Sequence, residues 1–196
     1  MRQRDVRSWW VAGLVLLAAG CAPSGHRYRD AMMDFGSIKT VAVLPFGNMS
    51  GNTAAADRVR TVFAGKLLAS QAFYVLPPGE VAHGVTWAKI AAVETPSVDD
   101  LMKVAHLLKA DAVVTGVVKE YGEVRSGNAS ANVVSVEVQL SDAASGKVVW
   151  SASTTRGGVS MVQRLLGGGG DPMNDVTERA VDDLIARLVT TSSTAW

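Results

Sequence analysis

Val41-Ala42-Val43-Leu44-Pro45 is a run of four apolar residues stopped by a proline. A short continuous apolar segment bounded by turn residues reads as a strand buried on both faces of a sheet, because a strand with one wet face would alternate. The turn residues follow at once, as Gly47-Asn48-Met49-Ser50-Gly51-Asn52. Asn52 or Thr53 can cap the next segment, where Val59, Val62, Phe63, Leu67 and Ser70 recur at helical spacing. Asp57, Arg58, Arg60 and Lys66 are expected to face outwards. A doubly buried strand followed by an amphipathic helix points to helices packed on a sheet.

Further along, Ala72-Phe73-Tyr74-Val75-Leu76 reads as a second strand stopped by Pro77-Pro78, and a short helix is expected near Glu80–His83. Ser97-Val98-Asp99-Asp100 is an N-terminal capping signal for a helix with Leu101, Val104, Ala105 and Leu108 on one face. Asp111 to Val118 is a third strand, after which a polar connection is expected. Val134, Val136, Val138 and Leu140 then alternate with Ser135, Glu137 and Gln139, which predicts a strand with one wet face. Ser141 to Gly146 is turn material, and Lys147 to Ala152 returns as a hairpin strand. The glycines 167–170 precede Asp171-Pro172, which opens a last helix carrying Val176, Ala180, Val181, Leu184, Ile185 and Leu188. The reading is a single-domain α/β sandwich, one mixed β-sheet with helices packed on it.

Composition narrows what such a domain does. Of 196 residues, 19 are Lys or Arg and 18 are Asp or Glu, so the net charge of +1 offers no basic field for nucleic acid. One cysteine and three histidines cannot supply a disulfide framework or a Cys/His zinc centre.

The lone cysteine, Cys21, follows a distinctive beginning. Arg2, Arg4 and Arg7 precede an apolar run from Trp9 to Ala19, the charged and hydrophobic parts of an export signal. That run is well short of the roughly 20 residues that span a bilayer as a helix. Leu17-Ala18-Ala19-Gly20-Cys21 resembles the bacterial lipobox. The resemblance implies cleavage between Gly20 and Cys21, and acyl chains, palmitate among them, on Cys21. Ala22 in the next position implies sorting to the periplasmic face of the outer membrane. Residues 1–20 are then a lipoprotein signal peptide, 21–36 a flexible tether, and 37–196 the periplasmic α/β domain. A free tether of that length reaches ~20–25 Å on average. Loss of residues 1–20 removes three Arg and one Asp, so the remaining chain carries 16 basic and 17 acidic side chains.

The segments Val41 to Gly51, Ala110 to Gly116 and Leu140 to Trp150 resemble, in order and spacing, the family of periplasmic lipoproteins that includes the curli-secretion lipoprotein CsgG, the N-terminal domain of TolB and the penicillin-binding-protein activator LpoB. The resemblance implies a membrane-tethered domain working by protein–protein contact, a non-enzymatic scaffold or accessory factor for another envelope protein. Self-association into a homo-oligomer is left open. A curli-type channel subunit is the alternative, but Lys119 to Asn132, where a membrane hairpin would lie, carries Lys119, Glu120, Glu123, Arg125 and Asn128. A hydrolase is the third reading. It lacks a sequence basis: there is no phosphate-binding loop at glycines 167–170, no nucleophile elbow and no His-Glu-x-x-His. His106 is expected as a partly buried helix residue, Asp99-Asp100 and Asp182-Asp183 as first-turn or solvated-face carboxylates, and Trp150 as core. No catalytic residue, cofactor or metal ligand is assigned.

Overall fold

A computed structural model describes residues 25–161, 165 and 169–193. Seven strands form one mixed sheet: β1 (Arg27–Arg29), β2 (Thr40–Val43), β3 (Gly47–Asn48), β4 (Tyr74–Val75), β5 (Ala112–Ser126), β6 (Ala129–Asp142) and β7 (Val148–Gly157). The α-helices named among the described residues are α1 (Ala55–Ala69), α2 (Pro78–Ala88), α3 (Val98–Leu108) and α4 (Met173–Ser193). The strand order is β1-β7-β6-β5-β2-β4, with β3 beside β5 beyond the end of β2. β2, β3 and β4 join by parallel pairing, whereas β5, β6, β7 and β1 are antiparallel.

The apolar run around Val41 is buried on both faces, as its pattern requires. Val41 and Val43 point into a core with Val59, Phe63 and Leu67 of α1 and with Val176, Val181, Leu184 and Leu188 of α4. Ala42 and Leu44 point the other way, into a second core with Val81 of α2 and Leu101, Val104 and Leu108 of α3. Each of these large side chains contributes about 1.5–3 kcal/mol through burial. Along β6, Val134, Val136, Val138 and Leu140 are buried against α4 while Ser135, Glu137 and Gln139 remain partly exposed, so the alternation marks a sheet covered on one side.

Several expectations are corrected. Residues 22–36 do not all serve as a free tether: Arg27–Arg29 pair with β7, and Phe35 is buried in the larger core. The polar stretch 119–132 is not a loop but the outer half of a long β5–β6 hairpin, with a register shift between Val118 and Glu120. The polar character misled because the inward positions there are filled by Tyr121 and the small Ala129 and Ala131, while Glu123 and Arg125 face solvent. β4 is shorter than expected, spanning only Tyr74–Val75, and α2 is longer, with Pro78 in its first turn. α1 starts after Ala54, with Asn52 Oδ1 accepting from the Ala54 N–H rather than capping the helix itself. Arg60 turns inwards: its guanidinium donates to the carbonyls of Val43 (2.7 Å) and Leu44 (3.0 Å), and desolvation there lowers its pKa.

Candidate functional site

α2 and α3 cover only the β2 side of their sheet face. Beyond them, β5, β6, β7 and β1 present a strip left uncovered by the described residues. Cross-strand register sets its rows: Thr115, Gln139, Ser151 and Tyr28 lie side by side, and Val117, Glu137 and Ser153 form the next row. Where the strip meets the start of α3, a cleft of about 250 Å³ opens, lined by Pro96, Val98, Leu101, Thr115, Glu137 and Gln139 among others. Ser97 holds that helix start in place: its hydroxyl accepts from the Asp100 N–H (3.2 Å) and donates to the Asp100 carboxylate (2.8 Å). Gly146, with φ +66°, brings the β6–β7 turn so close to Val98 that a Cβ would lie 2.5 Å from its Cγ1.

The polar groups of the strip largely satisfy one another. Lys119 is paired with Glu137, Gln139 Nε2 donates to Glu137 (3.3 Å), and the Thr155 hydroxyl donates to Ser135 (3.0 Å). The hydrogen bond from Lys119 is the main reason the Glu137 carboxyl sits below the usual carboxylate range. A carboxylate stabilised in its ionised form is a poor proton acceptor at neutral pH, because general bases work best with a pKa near the operating pH. What the strip presents is a set of paired charges and hydrogen-bonding groups.

Glu94 lines the same cleft as Glu137, whereas Asp111, Asp182, Asp183 and the histidines His83 and His106 lie outside it. Asp182 and Asp183 diverge, as adjacent helix positions must. Asp182 reaches Lys66 of α1 at 2.7 Å. Asp183 turns to β7, where it accepts from the Thr154 hydroxyl (2.6 Å) and pairs with Arg156 (3.1 Å) and Arg187 (2.8 Å). Its side chain is 16% exposed, so the solvated-face expectation is corrected for this residue. Asp111, at the head of β5, accepts from the N–H groups of Lys39 and Thr40 (both 2.8 Å), a clamp that sequence reasoning missed. His106 is exposed, contrary to expectation, because position 106 falls opposite the Leu101–Leu108 stripe of α3. His83 is also exposed, with its ring 6.2 Å from that of Trp87. Trp150 is buried as expected, and its Nε1–H has no partner among the described residues. Gly20 and Cys21, the expected cleavage and acylation positions, lie outside the described residues, as do glycines 167 and 168. Among the described residues no group of three His, Cys, Asp or Glu could hold a metal ion, and no helix is long and apolar enough to cross a membrane.

A sheet with helices on one whole face and half of the other, preceded by an apolar leader and one cysteine, has matching relatives. The model of the GNA1162-like lipoproteins matches residues 33–183. The chain belongs to this lipoprotein family. No curated protein matches its sequence. Among solved structures, the PelC dodecamer from Paraburkholderia phytofirmans is similar with a TM-score of 0.58 at 22% identity, over 85% of this chain and 98% of that one. GNA1162 from Neisseria meningitidis matches with a TM-score of 0.55 at 20% identity, over 78% and 99%. The LpoB C-terminal domain from Salmonella enterica matches with a TM-score of 0.47 at 12% identity, over 73% and 90%. The expected kinship with bacterial lipoproteins is thus shown at the level of the family, whereas likeness to CsgG and the TolB N-terminal domain is not shown. The fold is the mixed α/β sandwich of these lipoproteins.

Proposed function

We propose that this member of the GNA1162-like family is a lipid-anchored accessory protein of the bacterial envelope that works without catalysis, by presenting the uncovered strip of β5, β6 and β7 to another envelope protein. Cleavage before Cys21 and acylation of its thiol would fix the chain to the periplasmic face of the outer membrane. The observation that carries the reading is the asymmetry of the sheet: one face is sealed by α1 and α4, while the other leaves Thr115, Glu137, Gln139 and Ser151 available beside a cleft. Interfaces between separately folded partners are about as polar as ordinary protein surface, so hydrogen-bonding side chains at this strip fit the role. The dodecameric state of PelC supports a homo-oligomer as the working form. A channel built on the β5–β6 hairpin is disfavoured by its outer end, where the exposed side chains include Glu123 and Arg125 and only Val124 is a large apolar group.

The test is a photo-reactive side chain at Gln139, with one at Tyr74 on the opposite sheet edge as control, followed by identification of the attached proteins in intact cells. A defined envelope protein attached at Gln139 and absent at Tyr74 is expected. Equal or no attachment at both positions removes the strip from the proposal. Cys21→Ala is expected to release the protein from the membrane fraction, and its retention there would end the lipid-anchor reading.

A further inference from the structure

The segment between the proposed anchor and the fold is much shorter than a free tether through residue 36. β1 begins at Arg27, and Gly25 already lies against the sheet edge, where a Cβ would meet Arg187 Nη1 and the Ser153 carbonyl. From Cys21 to His26 the chain spans five residue steps, at most ~17 Å when fully extended.

The direction of departure constrains the orientation further. His26 accepts from the Ser153 N–H, and Ser153 lies opposite Glu137 in the sheet. Followed towards its N-terminus, β1 therefore runs towards Ala129, the start of β6 at the hairpin tip. At about 3.4 Å per residue, that tip extends ~27 Å beyond the level of Glu137, well past the farthest point Cys21 can reach along the strands. A membrane laid across the strand ends would have to admit the tip, where Arg125, Gly127 and Asn128 are exposed. Polar and charged groups are costly inside a bilayer.

The alternative surface is the β1 edge itself. His26 and Arg27 are exposed there, and Tyr28 and Met32 are 49% and 93% exposed. Arg29, stacked 5.2 Å from the Phe35 ring centre, and Arg156 both have a buried Nε without a partner among the described residues. Arg156 and Arg187 share the single carboxylate of Asp183, and Arg27 and Arg29 stand beside Asp30 and Asp34 on the same segment, so this edge carries one more guanidinium than carboxylate. The alternation of antiparallel hydrogen bonds, with His26 and Asp30 bonded to β7, leaves the backbone N–H and C=O of Arg27 and Arg29 directed away from the sheet.

We infer that the β1 edge lies against the membrane, with Arg27 and its neighbours facing anionic phospholipid headgroups and the strands running along the bilayer plane. This rests on the acylation of Cys21 and deepens that reading by assigning the face the domain turns to lipid. Juxtamembrane Lys and Arg are attracted to anionic lipid surfaces within a Debye length, which a chain this short does not let the edge leave.

Cys21 is the only cysteine in the chain, so once acylated it leaves an introduced thiol as the single labelling site. The full-length acylated protein, its modification verified by intact mass, is placed in nanodiscs of phosphatidylethanolamine and phosphatidylglycerol. Nitroxide labels are attached singly in Tyr28→Cys, Met32→Cys, Asn128→Cys and Tyr74→Cys. Relaxation by nickel chelated to lipid headgroups is expected to be several-fold stronger at positions 28 and 32 than at 74, with 128 in between. Strongest relaxation at 128 would overturn the orientation in favour of a membrane-facing hairpin. Labels at 28 and 32 that are shielded from nickel and coupled between copies would overturn it in favour of a second chain on this edge. An unmodified mass would overturn the anchor and the orientation together, whereas an acylated protein with equal relaxation at all four positions would overturn the orientation alone.

Discussion

On one side of β5 the sheet is parallel, short-stranded and clad by helices on both faces; on the other it is antiparallel, long-stranded and clad on one. The two halves share β5 and differ in what their side chains may be. In the parallel half each residue of the run Val41 to Leu44 is committed to a core, leaving no position free for recognition. In the antiparallel half, alternate residues pack on α4 and the rest are free to vary. A surface for partners can arise in the second half without cost to the first.

The contrast can be broken in graded ways. The largest effect is expected from Trp150→Ala, which empties the centre of the antiparallel half: about 4 kcal/mol of stability, read by chemical denaturation. Trp87→Ala, at a position 71% exposed, should stay within ~0.5 kcal/mol in the same assay.

Next comes Asp183→Asn, which leaves Arg156 and Arg187 without their carboxylate and is expected to cost about 3 kcal/mol at pH 7. Burial pushes the Asp183 pKa up, but the Thr154 hydroxyl and the two guanidinium groups outweigh it, so the carboxyl titrates below its ordinary value. A depressed folded-state pKa contributes stability that is complete above the unfolded value, about 3.9, and is lost as pH falls through the folded one. Denaturation curves of the two proteins should therefore stay apart from pH 7 to about pH 5 and converge below about pH 4.

A smaller loss is expected where the two helices of the parallel half touch. A Cβ at Gly84 would lie 2.5 Å from Leu108 Cδ2, so Gly84→Ala should force α2 and α3 apart at about 1–2 kcal/mol, visible as a lowered Tm. The smallest is Gln139→Ala on the open strip, within ~0.5 kcal/mol in stability. Its expected signature is weaker capture of the envelope partner in cells. A large stability loss there would mean that the strip belongs to the fold instead.

What was legible in the sequence follows the same division. Val41 to Leu44 and the Val134 to Leu140 alternation announced their strands because burial is written in period and run length. Ser97 announced α3 because capping is local. β1 was illegible: three residues, Arg27, Tyr28 and Arg29, carry no apolar pattern and are held by a partner far along the chain. The Asp183 cluster was hidden for the same reason, since Thr154 and Arg156 meet it only through packing of α4 on β7. Arg60 looked like a solvated-face residue because its length and charge gave no hint of the carbonyls of Val43 and Leu44. The open strip was half visible: the alternation gave its wet side, but only the positions of α2 and α3 show how much of that side stays uncovered.

The pairing of β1 with β7 also sets an order of assembly. His26 and Ser153 are separated by 127 residues, whereas β5 and β6 are joined by a turn. Closing long loops carries an entropy cost that must be met before the contact is rewarded, so local hairpins form early and distant edges late. The first strand of the sheet is therefore expected to join it after the β5–β6 hairpin has formed. Until β7 has been made and placed, Arg27–Arg29 have no strand to pair with. A protease or acyltransferase that acts on residues 20 and 21 would meet its substrate before the edge strand closes over Phe35.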